Sequence, residues 1–149
     1  MKNFLILVFP IIAFVLLLTG CSNDVNDNDV DIDVDIDLSS LSQTIIQAEY
    51  QRIVANADDN IGKSIMLLGT YQSVFIEGDG DYAHFIIIVQ GDECCQMGFE
   101  FKRKGDYSFP DDYPEQNTVI LITGVLDTLE RFGSTYLYVD VDDFSVKSN

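Results

Sequence analysis

Basic side chains are scarce in this 149-residue sequence, in which 8 Lys and Arg stand against 25 Asp and Glu, giving a net charge of −17. Because neutralising nucleic-acid phosphates requires an excess of Lys and Arg, this balance argues against a nucleic-acid-binding protein. Histidine occurs once, at His84, so any Ser-His or Cys-His catalytic pair would depend on this residue. No pattern places a nucleophile beside His84, and we therefore expect neither an enzyme nor catalytic residues.

Residues 1–20 have the pattern of a secretory signal peptide, with a positive charge at Lys2 and an apolar run over residues 4–18. The Leu-Thr-Gly-Cys sequence at residues 18–21 resembles a bacterial lipobox, which implies that Cys21 is lipidated with palmitate-type acyl chains. Such chains anchor a protein to a membrane without spanning it. We therefore expect a lipoprotein on the extracytoplasmic face of a bacterial cell membrane. The alternative, a permanent membrane helix, is disfavoured by the small residues before the cysteine.

The segment after the lipidation site is strongly acidic. The predicted tether, residues 21–42, begins with the cysteine. Asp residues that alternate with Val, Ile or Asn then follow. Like charges in a row repel one another, so we expect an extended tether rather than a strand. The Asp-x-Asp-x-Asp spacing at residues 29–33 is also typical of a calcium loop, but Val34 and Ser40 stand where that loop requires Gly and Glu.

Residues 43–149 form the predicted folded domain, which begins with a helix over residues 42–56. Ile46, Tyr50, Ile53 and Val54 share one face of this helix at helical spacing. The rest of the domain shows the alternation and turn residues of five strands. These strands are expected at residues 64–76, 82–90, 95–102, 118–129 and 135–142.

Five strands with glycines inside the first and fourth predict a small barrel, since closure removes exposed strand edges. We therefore expect a mainly β protein with a five-stranded OB-fold-like barrel preceded by one N-terminal helix. An OB-fold usually carries a helix between its third and fourth strands, where this chain has a Pro-containing loop over residues 103–116. An open antiparallel sheet with the N-terminal helix on one face is the alternative.

Four short sequences carry a resemblance to known proteins. They are Asn-Ile-Gly-Lys at residues 60–63, Cys-Cys-Gln-Met-Gly-Phe-Glu-Phe at 94–101, Asp-Asp-Tyr-Pro at 111–114 and Val-Ile-Leu-Ile-Thr-Gly at 119–124. With these, residues 44–145 resemble a group of uncharacterised bacterial lipoproteins and, more distantly, the C-terminal domain of YcgQ-like membrane proteins. The resemblance implies the barrel and draws attention to the cysteine pair. It implies no activity.

Cys94 and Cys95 are adjacent, so in a regular strand their side chains would point to opposite faces. Only a bulge or loop would bring both sulfurs together, either as a strained disulfide or as a site for a soft metal such as zinc. The candidate third ligand of that site is His84 or a nearby carboxylate such as Asp92 or Glu93. The alternative is structural, with Cys95 in the core and Cys94 at the surface.

Two functions follow from these features. The first is a membrane-anchored binding module for a protein, a small solute or a glycan. The second is a metal-binding or redox-active lipoprotein that uses the cysteine pair. We favour the first because it requires only an anchor, a tether and a barrel. Its candidate surface is a platform of Tyr71, Tyr136 and Tyr138, whereas the basic residues 102–104 are interpreted as a solvated strand end.

Overall fold

The computed structural model of the chain describes residues 33–89 and 96–147. The signal peptide, the lipidation site Cys21, most of the tether and the pair Cys94–Cys95 lie outside these residues, and what the sequence indicates for them stays a prediction. Within the described residues, no helix is long and apolar enough to cross a membrane.

The described chain is mainly β, which confirms the predicted class. Its helices are α1 (Gln43–Ala55) and α2 (Ala57–Asn60). Its strands are β1 (Ile36–Asp37), β2 (Ser64–Ile76), β3 (Asp81–Val89), β4 (Met97–Arg103), β5 (Val119–Arg131) and β6 (Ser134–Val146). The five predicted strands correspond to β2–β6, and β2 has the predicted ends.

The six strands form one mixed sheet in the order β1-β2-β3-β4-β6-β5, and β2 also pairs with β5. Each of the five long strands therefore has a partner on both sides. The β1–β2 and β4–β6 pairs are parallel and the others antiparallel. Side chains at Gly69 and Gly124 would collide with the carbonyl oxygens of Ile87 and Asp140. Gly69 therefore allows the close approach of β2 to β3, and Gly124 that of β5 to β6.

Strand β1 lies in the segment that the sequence assigned to the tether, and the compact unit begins at Asp33 rather than at residue 43. Ile36 and Leu38 are buried. The Asp35 carboxylate accepts hydrogen bonds from Ser64 N at 2.8 Å and Ser64 Oγ at 2.7 Å. These bonds lower the pKa of Asp35, because they favour its charged form. Residues 33–42 of the predicted tether are therefore part of the folded unit.

Helix α1 covers one part of the core with apolar side chains. Ile46 and Ile53 are buried in the main cluster, and the Tyr50 ring meets Phe99 edge-on at 5.1 Å between centroids. The buried Asn60 side chain holds α2 against α1 by donating to the carbonyl oxygen of Ile53 at 3.3 Å.

Candidate functional site

His84 lies in an aromatic cluster beneath the loop of residues 104–118. Its Nδ1 is 2.8 Å from the Tyr71 hydroxyl, and its ring stacks on Tyr113 at 3.8 Å between centroids. Burial lowers the pKa of His84, whereas the charges of Asp81 and Glu100 oppose that shift. The cluster therefore favours a neutral imidazole with one nitrogen already hydrogen-bonded.

The predicted metal site is not visible in the part of the chain that the structure describes. No group of three His, Cys, Asp or Glu side chains able to hold a metal ion occurs there. Cys94 and Cys95 fall outside that part, so a site made of these residues and His84 stays a prediction. The prediction of an exposed tyrosine platform, in contrast, is wrong for one of its three residues. Tyr71 is fully buried, and only Tyr136 and Tyr138 reach the surface.

Arg103 closes the loop over this cluster instead of pointing into solvent as predicted. Its guanidinium lies 3.5 Å from the Tyr107 ring centroid. The same group donates to the Asp112 carbonyl oxygen at 2.6 Å and to the Asp143 carboxylate at 3.0 Å. The Arg103 side chain is only 9% exposed. It is therefore a clamp that joins β4 to the loop and to β6.

A groove of about 460 Å³ opens between α1, strands β3 and β4, and the β5–β6 hairpin. We call it the α1–hairpin groove. Its apolar lining comes from Val54, Phe85, Phe99, Phe132, Tyr136 and Leu137. Phe132, at the hairpin tip, is 71% exposed, and Val54 and Tyr136 are also exposed. Val54 was predicted to share the buried face of α1, and instead it faces this groove.

Strands β4 and β6 diverge along the groove. Their parallel pairing begins only at Glu100 and Tyr138. Met97–Phe99 and Thr135–Leu137 precede that point, and each of these segments is paired on its other side, with β3 and β5 respectively. Among the residues that the structure describes, these two strand edges therefore face the groove without pairing.

Arg131 forms one wall of the groove. It donates to both carboxylate oxygens of Glu100, at 2.7 and 2.9 Å, and to Asp79 at 2.7 Å. These bonds raise the pKa of Arg131 above its ordinary value, and the bonds to Glu100 contribute most to this shift. The same ion pair also lines a smaller polar cavity of about 230 Å³ beside His84 and Tyr82. A buried bidentate pair of this kind fixes the shape of both openings.

The other end of the groove is acidic. Val54 and Ala57 are shared between the groove and a polar depression that also includes Asp58 and Asp59. Both carboxylates are exposed, and neither makes an ion pair with the described residues. A ligand in the groove would therefore meet an apolar surface first and two free negative charges next.

Comparison with known proteins gives no family for this chain, since no protein-family model and no curated protein matches it.

Proposed function

We propose that this chain is a lipid-anchored binding module on the extracytoplasmic face of a bacterial membrane, built on a five-stranded OB-fold-like barrel. The ligand site is the α1–hairpin groove. The carrying observation is that this groove combines a large opening with exposed aromatic and aliphatic side chains, of which Phe132 is the most exposed. Exposed apolar surface is costly to leave in water, and it marks a place for a ligand or partner.

The strand pairing supports the barrel. Among the five long strands, the first pairs with the fourth and the third pairs with the fifth, so the pairing returns to its starting strand. This is the connectivity of a Greek-key barrel of the OB type. In such a barrel, the groove would border the second and third strands and the hairpin between the fourth and fifth, where OB-type barrels present ligand surfaces.

The sequence of the first 32 residues supports the anchor. A signal pattern, the lipobox-like residues 18–21 and an acidic spacer together fit a domain that is held at a distance from lipid. Cys21→Ser should move the protein from the membrane fraction to the soluble fraction. Retention of the variant in the membrane fraction would argue for a spanning segment instead.

Photo-crosslinking tests the ligand site without assuming the ligand's chemistry. Benzoylphenylalanine in place of Phe132 should give a specific adduct in the native cell. The matched control is the same substitution at Phe75, which is also aromatic and half exposed but lies outside the groove. Adducts at neither position, or equal adducts at both, would contradict the proposed site.

A further inference from the structure

We propose that the α1–hairpin groove binds an extended, basic segment of a partner polypeptide by strand addition. This inference rests on the proposed function and names the class of ligand for the same site.

The free strand edges give the main-chain part of the argument. Met97–Phe99 and Thr135–Leu137 each have one neighbouring strand within residues 33–89 and 96–147, so alternate residues direct an N–H and a C=O group into the groove. A partner strand would satisfy these groups, as in other peptide complexes formed by sheet extension. The chain itself shows a short example of strand addition. Strand β3 pairs with β2 only from Thr70 onward, and residues 36–37 pair with the same edge of β2 before that point.

The lining gives the side-chain part. In an extended segment, alternate side chains point to the same side. One set would lie against Val54, Phe132 and Tyr136, which are exposed in the groove. An alternating apolar pattern is therefore the sequence property that the groove selects.

The negative charge at the end of the groove predicts that the partner segment is basic. The chain carries a net charge of −17, and the groove ends at Asp58 and Asp59. Neither carboxylate has an ion-pair partner among the described residues, so a Lys or Arg of the ligand would meet free acceptors. The chain's own acidic residues 24–33 would bring like charges to the same place, which disfavours them as the occupant.

A peptide screen tests this proposal. The full chain, purified in detergent, is screened against a bead library of random octapeptides. We expect the bound peptides to be enriched in Lys or Arg and to alternate with apolar residues. The double variant Asp58→Asn/Asp59→Asn should weaken binding of a selected peptide about fivefold at low salt. The control variant Asp106→Asn/Asp111→Asn removes the same charge from the loop of residues 104–118 and should leave the affinity unchanged.

N-methylation of the selected peptide tests the main-chain bonds. Because the inserted strand pairs with β4 on one side and with β6 on the other, methyl groups on either alternate set of its central amides should weaken binding by about tenfold or more, whereas a methyl group on the amide of a terminal residue should have little effect. Unchanged binding after methylation of the central amides would overturn strand addition, and a library without basic enrichment would overturn the charge argument. If Phe132 forms a specific cellular adduct but the library yields no binders, the site stands and this inference fails.

Discussion

Two regions of the core are closed by different chemistry. Beneath α1, Ile46, Ile53 and Tyr50 fill the space with apolar contacts. Beneath the loop of residues 104–118, His84 and Arg103 are held instead by rings and by hydrogen bonds to named atoms. Apolar contacts depend on volume and area, whereas hydrogen bonds depend on direction. The α1 region should therefore respond to lost volume, and the loop region to lost polar atoms at constant volume.

The largest effect is expected from a cavity beneath α1. Ile53 is fully buried, so Ile53→Ala should lower the free energy of unfolding by about 4 kcal/mol. Ile45→Ala on the same helix is the control, because Ile45 is 49% exposed, and it should cost less than about 0.5 kcal/mol. Urea unfolding measures both. Similar losses would mean that α1 does not close the core.

A conservative exchange tests the loop region. Arg103→Lys keeps the charge but loses the planar fork that reaches Asp112 and Asp143, so we expect a loss of about 2 kcal/mol in the free energy of unfolding. Arg52→Lys is the control, since Arg52 makes an exposed pair with Glu49 within α1. An unchanged stability of Arg103→Lys would show that stacking and charge suffice and that direction does not matter there.

Local sequence patterns predict most of the strands. In β2, Ile65, Leu67 and Tyr71 are buried at even spacing, and Gly69 lies between them at a close backbone approach. This spacing indicates that Tyr71 points inward with Ile65 and Leu67, which contradicts its predicted place on the exposed tyrosine platform. Strand β1 is different, because its Asp residues resemble a self-repelling row. The hydrogen bonds that hold Asp35 beside β2 come from Ser64, which is distant in sequence.

The groove depends on tertiary structure, and local sequence carries little trace of it. Its free edges arise where β4 and β6 diverge before Glu100 and Tyr138, and a strand pattern does not reveal where two strands part. Helical spacing predicts that Val54 is buried with Ile53, yet the two neighbours lie on opposite sides of the boundary between core and groove. The one available signal was Phe132, an aromatic residue beside Gly133 in a turn.

Removing a single hydroxyl group from each region should have a smaller effect on the free energy of unfolding. Tyr71→Phe removes the hydroxyl that bonds His84 Nδ1, so we expect a loss of about 1 kcal/mol in the free energy of unfolding. Tyr50→Phe removes a hydroxyl beneath α1 that has no hydrogen bond within residues 33–89 and 96–147, and it should be close to neutral. Equal effects in urea unfolding would remove the distinction between a directional and an apolar region.

The smallest effect concerns pH and comes from the titration of His84. Burial lowers its pKa in the folded state below the ordinary 6.5, although Asp81 and Glu100 offset part of the shift. As the pH falls below 6.5, the unfolded chain therefore binds this proton before the folded chain does, and the free energy of unfolding decreases until the folded-state pKa is passed. His84→Gln has no such proton to bind. The decrease in urea midpoint from pH 7.5 to 5.5 should therefore be smaller in this variant than in the native chain. An identical decrease would mean that His84 is as solvated in the folded state as in the unfolded one, and the loop region would then be open rather than closed.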